Sequence, residues 1–413
     1  MTEKPLYRVP MSSPDLNEAD RSEVEDALRG AHIPEPDLQA VLRILEGPTL
    51  SMGPKVPAFE RLFCEYTGSQ HAIAVNSGTA GLHLCVRAAG VGPGDCVLTT
   101  PFSFVASTNV ILFEQALPVF VDVEAETGNL DPALAAEAAR DLAAGGQRAR
   151  RWLPRRGAAE PRPLKAILPV DVFGQPADLD AMRRIADEQG LKVIEDSCEA
   201  LGSEYKGRKA GTLGDYGVFA FYPNKQITTG EGGVIVTNDE AAAAYMRALR
   251  NQGRAPGDTW LQHTYLGYNY RMDEMSAALG IAQMARIEEL LVKRERVAAW
   301  YDERLAEIPQ VERYRIRPET TRMSWFVYVV KFVPSVDRDA LAQRLEARGI
   351  PVRPYFLPIH LQPYMVERFG YQPGDFPVSE DLGRRSLALP FSGVMTEAMV
   401  EQVCRALVEA LNA

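Results

Sequence analysis

Cysteine and histidine are scarce in this 413-residue chain and poorly placed for metal or redox work. The five cysteines (64, 85, 96, 198 and 404) form no CxxC pair, and the five histidines (32, 71, 83, 263 and 360) are scattered. This argues against a zinc site or a disulfide framework and favours a reducing, cytoplasmic setting. No apolar run approaches the roughly 20 residues that span a bilayer. The opening MTEKPLYRVPMSSPD lacks the apolar stretch of a secretory signal. Positive charge is also short. A net charge of −10 argues against nucleic acid or an anionic membrane as partner. Lysine is the last scarcity: nine of the 45 basic residues, the rest being arginine. A lysine in an apolar setting is therefore informative, because its amine, unlike a guanidinium, can lose a proton and attack a carbonyl.

What is present is ordinary for a globular enzyme, with 46% hydrophobic and 24% charged residues. The length exceeds what one core supports. The expected division is an N-terminal arm (1–35), a large domain (36–285) and a small C-terminal domain (286–413). Within the large domain, short β-rich runs alternate with helical stretches: HAIAV (71–75), CVLTT (96–100), PVFVDV (118–123), KAILPV (165–170), KVIED (192–196) and YGVFAF (216–221). GVIVTND (233–239) closes the series and is expected to run antiparallel at or near an edge. Near-continuous apolar strands separated by helices imply a mostly parallel sheet covered on both faces. The fold class is α/β, with ligands expected at the strand carboxyl ends. Residues 140–164, with seven arginines, read as an exposed insertion. From about residue 272 one long helical pattern leads into a smaller α+β unit with SWFVYVVKF (324–332), a helix over 338–349 and a last helix ending at Ala413.

Three features gather at the strand ends. Asn76-Ser77-Gly78-Thr79 opens a helix after HAIAV; its free amides suit a phosphate, and Ser77 is equally a good helix cap. Asp196 ends KVIED, a carboxylate closing a buried strand that could equally serve as a cap for the next helix. Lys225 follows YGVFAF in FYPNKQITTGEGG, where a lysine is either snorkelling or used. Together they meet the needs of pyridoxal phosphate: an amine for its aldehyde, a carboxylate for its pyridine nitrogen and amides for its phosphate. Desolvation favours the neutral form of an amine, as nucleophile and then as proton shuttle.

On these residues the sequence resembles the DegT/StrS family of nucleotide-sugar aminotransferases. The likeness runs from PTLSMGPKVPAFE through NSGTAGLHL, GVGPGDCVLTTPFSFVAST, DVFGQPADLDAM, VIEDSCEALGSEYKGRKAGTLGD and FAFYPNKQITTGEGGVIVTND to LGYNYRMDEMSAALGIAQ and PIHLQPYM. The resemblance implies fold type I of the pyridoxal-phosphate transferases, with a mostly parallel seven-stranded sheet. It implies a Schiff base on Lys225, Asp196 at the ring nitrogen, Phe104 stacked on the ring, and Ser77, Gly78 and Thr79 at the phosphate. Asn269 would reach the partner's cofactor in a homodimer with shared active sites. Asn251, Arg271 and His360 would line the substrate pocket. Substrates would be an amino-acid donor, glutamate above all, and a keto sugar nucleotide, with pyridoxamine phosphate formed between half-reactions. Other acceptors in the same fold, an aminocyclitol ketone or an aminobenzoate precursor, and a non-catalytic homologue stand as alternatives. Three positions depart from the family pattern. Ala220 replaces a phosphate-binding serine, Glu199 stands where Gln or His faces the ring oxygen, and Asp171 stands where His is frequent.

Overall fold

The computed structural model describes residues 34–45, 49–157, 162–259 and 261–413. The expected arm (1–35) falls almost wholly outside them. Seven strands form the main sheet: β1 (His71–Val75), β2 (Cys96–Thr99), β3 (Leu117–Phe120), β4 (Leu164–Leu168), β5 (Lys192–Asp196), β6 (Tyr216–Ala220) and β7 (Gly233–Thr237). Their spatial order is β1-β7-β6-β5-β4-β2-β3. Pairings from β6 to β3 are parallel, and β7 runs antiparallel to both neighbours, one place in from the β1 edge.

Strand periodicity explains the layers. Ile73, Val75, Val218 and Ile235 face a core built with Leu82, Val86 and Met246. Ala72, Ala74, Phe219, Val234 and Val236 alternate with them and face a second core with Phe59, Phe63 and Leu291. Both faces are dry, so the strands read as continuous apolar runs rather than as polar–apolar alternation. Phe59 and Phe63 are fully buried, each stabilising the fold by roughly 1.5–3 kcal/mol.

A second sheet is formed by β8 (Val311–Arg313), β9 (Tyr328–Phe332), β10 (Arg353–Pro354) and β11 (Ser386–Leu389), in the order β8-β9-β11-β10. Its core packs Tyr301, Val330, Leu341 and Leu387 against the last helix, Glu397–Leu411.

Two expectations need correction. The helical pattern from 272 is not one helix but two, Glu274–Met284 and Ile287–Leu305. At the break, Gln283 and Arg286 both donate to the buried Asp37 carboxylate, so helix Glu35–Leu45 docks where the pattern was expected to run straight through. The arginine-rich stretch is also less exposed than its composition suggests. Ala149 and Leu153 are buried, Arg151 pairs with Glu137 and Asp141, and Arg155 pairs with Asp375 across the sequence. The guanidinium heads stay outside while the apolar positions anchor the segment. Among the described residues no helix is long and apolar enough to cross a membrane.

Candidate active site

The reversed strand β7 assembles the site. Its first residue, Gly233, stands in register with Val75 at the end of β1 and with Ala220 at the end of β6. Two carboxyl-terminal strand ends distant in sequence therefore flank one residue. A Cβ on Gly233 would lie 2.8 Å from the Ser77 carbonyl, so glycine is required for that approach. The helix that follows, Gly78–Ala88, is capped by Ser77, whose Oγ accepts from Ala80 N at 3.0 Å. Both readings of Ser77 thus meet: it caps the helix and shapes an anion-binding turn. Helix geometry leaves the Gly78 and Thr79 amides without an acceptor in their own helix, at the positive end of its dipole. Gly78 lies against the end of β6, since a Cβ there would sit 2.7 Å from Ala220 Cβ and 2.9 Å from Cys198 Sγ.

Asp196 ends β5 beside Val218 of β6. It caps no helix. Its Oδ2 accepts from Ser107 Oγ at 2.6 Å and its Oδ1 from Cys198 N at 3.3 Å. The carboxylate is 5% exposed and has no arginine or lysine paired to it among the described residues. A buried carboxylate with this little compensation is poised for an incoming N–H donor.

Lys225 Nζ is 3.7 Å from Glu199 Oε1 and 3.9 Å from the Phe326 ring centroid, with its side chain 13% exposed. Its carbonyl accepts from Arg294 Nη2 at 2.9 Å, and the same guanidinium donates to the carbonyls of Trp325 and Phe326. Arg294 is buried deeply enough to bring its guanidinium down to about 10. It ties the turn bearing the lysine to the segment bearing the ring above it. Glu199 Oε2 accepts from Phe173 N at 2.9 Å, and its carbonyl accepts from Gln226 Nε2, next to the lysine. Phe173 holds φ 60, a left-handed conformation uncommon for so large a residue.

Lys225, Asp196, Glu199, Ser77, Gly78 and Thr79 therefore converge on one set of strand ends. Phe104 is 64% exposed, unusual for a phenylalanine that is no part of a core. Ser107 Oγ lies 3.3 Å from its carbonyl while donating to Asp196, so the backbone of Phe104 is tied through one serine to that carboxylate. Asn251 and Asn269 form a β-bridge, and the Asn269 carbonyl accepts from Asn76 Nδ2 beside the helix start. Arg271 Nη1 donates to Asn251 Oδ1 at 2.9 Å and lines a cavity of about 610 Å³ with Arg247, Arg250 and Met272.

His360 is a different matter. It is fully enclosed, with Nε2 3.0 Å from Glu380 Oε1 and its ring against Phe376. Burial lowers its basicity. It is packed within the C-terminal region by these contacts.

Asp171 is buried away from solvent. Its carboxylate accepts from Ser197 Oγ and Ala177 N, and burial beside Glu195 pushes it well above the usual carboxylate range. Glu195 is itself raised to about 7 by burial while accepting from Gly211, Leu213 and Gly214. It fastens the loop that leads into β6.

Sequence reasoning missed Ser107, Phe326 and Arg294. A serine three residues beyond Phe104 in SFVAST was a usable signal for the first. Nothing local marked the other two.

The residues fit pyridoxal phosphate. A helix start with two open amides, closed to side chains by the tight approach at Gly78, faces the same space as a half-compensated carboxylate and a shielded amine. Fold and site together define a pyridoxal-phosphate-dependent aminotransferase of fold type I. The chain belongs to the DegT/DnrJ/EryC1/StrS aminotransferase family, which it matches over residues 32–408. It is 38% identical over 363 residues to GDP-perosamine synthase of Caulobacter vibrioides, covering 87% of this chain and 91% of that one. Among solved structures it is similar to DesI in the presence of its TDP-sugar product (TM-score 0.79, 31% identity, 93% and 92% of the two chains). It is also similar to 3-amino-5-hydroxybenzoic acid synthase (TM-score 0.81, 26% identity, 92% and 97%).

Proposed function

We propose that this chain moves an amino group from an amino acid, glutamate being the best fit, onto a keto sugar carried by a nucleoside diphosphate. A 4-keto-6-deoxyhexose is the preferred acceptor. The observation that carries the reading is the convergence of Lys225, Asp196 and the Ser77–Thr79 turn at neighbouring strand ends. Support for the acceptor comes from the likeness to GDP-perosamine synthase and to DesI with its TDP-sugar product.

When bound, pyridoxal phosphate supplies an aldehyde that carries the amino group and a ring that accepts the electron pair left on the donor carbon. The chain's own groups do the rest. The Lys225 amine is the nucleophile toward the aldehyde; once displaced by the donor it removes the donor's α-proton and later returns it. Asp196 Oδ1 or Oδ2 holds a proton on the ring nitrogen, and Ser107 fixes the carboxylate's angle. The Gly78 and Thr79 amides hold the phosphate, without a hydroxyl at Ala220. Phe104 covers one face of the ring. Asn269 serves the partner subunit's cofactor in a homodimer. Residues 36–285 carry the cofactor and residues 286–413 form the smaller domain. After the first half-reaction the donor would depart as a 2-oxoacid while the protein keeps pyridoxamine phosphate bound, and the keto sugar nucleotide would then receive the amine.

The likeness to 3-amino-5-hydroxybenzoic acid synthase keeps an aminobenzoate precursor as the second reading. One experiment separates them: treat the enzyme with glutamate until the lysine-bound absorbance is lost, then add keto sugar nucleotides or carbocyclic ketones singly. Recovery of absorbance with a sugar nucleotide supports the first reading, and recovery only with a carbocyclic ketone overturns it.

A further inference from the structure

The acid beside the lysine has no part in the scheme above. Glu199 is 8% exposed and bound at both ends: Oε2 by the Phe173 amide, and the backbone carbonyl by Gln226. Oε1 is the free end, and it points at Lys225 Nζ at 3.7 Å. Among the described residues no arginine is paired with it. The titratable groups that face it are Lys225, Asp196, Cys198 and Tyr355. Of these only the lysine carries positive charge.

We propose that Glu199 exchanges a proton as Lys225 takes up the cofactor, standing as a carboxylate while the ammonium faces it and as a neutral acid once the nitrogen is committed to the aldehyde. The inference rests on the assignment of Lys225 as the cofactor-bearing amine. The balance is explicit. The ammonium and the aldehyde form a carbon–nitrogen double bond and release one water. If the product nitrogen is uncharged, one proton is also lost, and Glu199 Oε1 takes it. If the product nitrogen keeps its proton, sharing it with the cofactor's own phenolate, the positive charge facing Glu199 is neutralised all the same, and Glu199 would take its proton from solvent. In either case the loaded wild-type protein holds one proton more than a variant unable to titrate at this position.

The energetics agree in sign. Burial pushes the Glu199 carboxyl above its ordinary range, opposed first by Lys225 and by the Phe173 amide, with Asp196 adding to the rise. Removing the ammonium's charge removes the largest opposing influence, so the carboxyl moves further up. Its proton occupancy therefore increases on loading at any pH between its values with and without that charge.

The test is the number of protons exchanged when pyridoxal phosphate is added to cofactor-free protein, measured by calorimetry in buffers of different ionisation enthalpy. It is run at several pH values on both sides of neutrality, for wild type and Glu199→Gln. Ionisation of the cofactor's phosphate is common to both and cancels. The expected result is a difference of up to about one proton, wild type binding more. Infrared difference spectra of the wild type alone give a second readout that needs no variant: a carboxylic-acid carbonyl band should appear on loading. Equal proton counts in the two proteins, or no such band, overturn the proposal. Failure of wild type to bind the cofactor covalently would instead remove the assignment of Lys225.

Discussion

Two buried polar clusters share the large domain, and they are built on opposite lines. Around His83, every polar group closes on another: Nε2 lies 2.7 Å from Glu114 Oε1, Nδ1 lies 3.0 Å from Tyr270 Oη, and Arg87 takes the second Glu114 oxygen at 2.8 Å. Tyr268 adds a third contact to the same carboxylate. At the strand ends, by contrast, the Lys225 amine lies 3.7 Å from Glu199, and Asp196 accepts from a hydroxyl and an amide with no cation paired to it among the described residues. Completed networks stiffen a core, whereas unfinished ones await a ligand. The two clusters are joined through helix Gly78–Ala88, which carries His83 on its buried side and the open amides at its start.

The largest effect should come from Lys225→Ala. It leaves the fold intact, abolishes the visible absorbance of lysine-bound cofactor, and lowers turnover by more than the ~10²–10⁴-fold of a single acid–base group, because the nucleophile is lost too. Absorbance spectra and single-turnover assays check it; retained transamination would break the contrast at its centre. Next is Asp196→Ala, expected to lower turnover by about 10²-fold or more while leaving the lysine linkage detectable. A rate within a few-fold of wild type would mean that the carboxylate is merely a turn-former for Cys198.

Gly78→Ala tests the tight approach at the helix start. With 2.7 Å to Ala220 Cβ there is no room, so about 1–3 kcal/mol of overpacking should appear as weaker cofactor binding, roughly tenfold per 1.4 kcal/mol. Equilibrium dialysis of the cofactor decides it. The completed cluster should answer differently. His83→Leu is expected to cost about 1–3 kcal/mol of stability because Tyr270 Oη loses its partner and Glu114 loses one of three, with kcat changed far less than in the strand-end variants.

Burial lowers the basicity of both His83 and His360. The unfolded chain therefore binds more protons than the fold as pH drops below about 6.5, so their contribution is intact above that value and is lost as pH falls toward the folded values. Melting temperature against pH should show this decline, flattened in a His83→Leu, His360→Leu double variant. The smallest effect on catalysis belongs to His360→Leu alone, which should leave KM for the sugar nucleotide unchanged.

Much of this contrast was legible in the sequence, and the illegible part has a common cause. Apolar runs ending in Asp196 and leading to Lys225, and the hydroxyl-rich turn at Ser77, are local signals that survive without coordinates. The seven strands were visible as apolar runs, and GVIVTND was expected to run antiparallel at or near an edge, as β7 does. What failed depended on distant partners. Ser107 meets Asp196 across 89 residues, Arg294 meets the Lys225 carbonyl across 69, and Phe326 lies 101 positions beyond the lysine it covers. The helix break at Ala285–Arg286 likewise needs Asp37, brought from the far end of the chain. His360 carries no local mark of burial; its neighbours Tyr371, Phe376 and Glu380 decide it.

The most direct test is to load the protein with pyridoxal phosphate, reduce it with borohydride and map the modified peptide by mass spectrometry. The structure predicts one stoichiometric adduct, on Lys225 within FYPNKQITTGEGG. An adduct on another of the nine lysines, or none while amino transfer persists, would contradict the site described above.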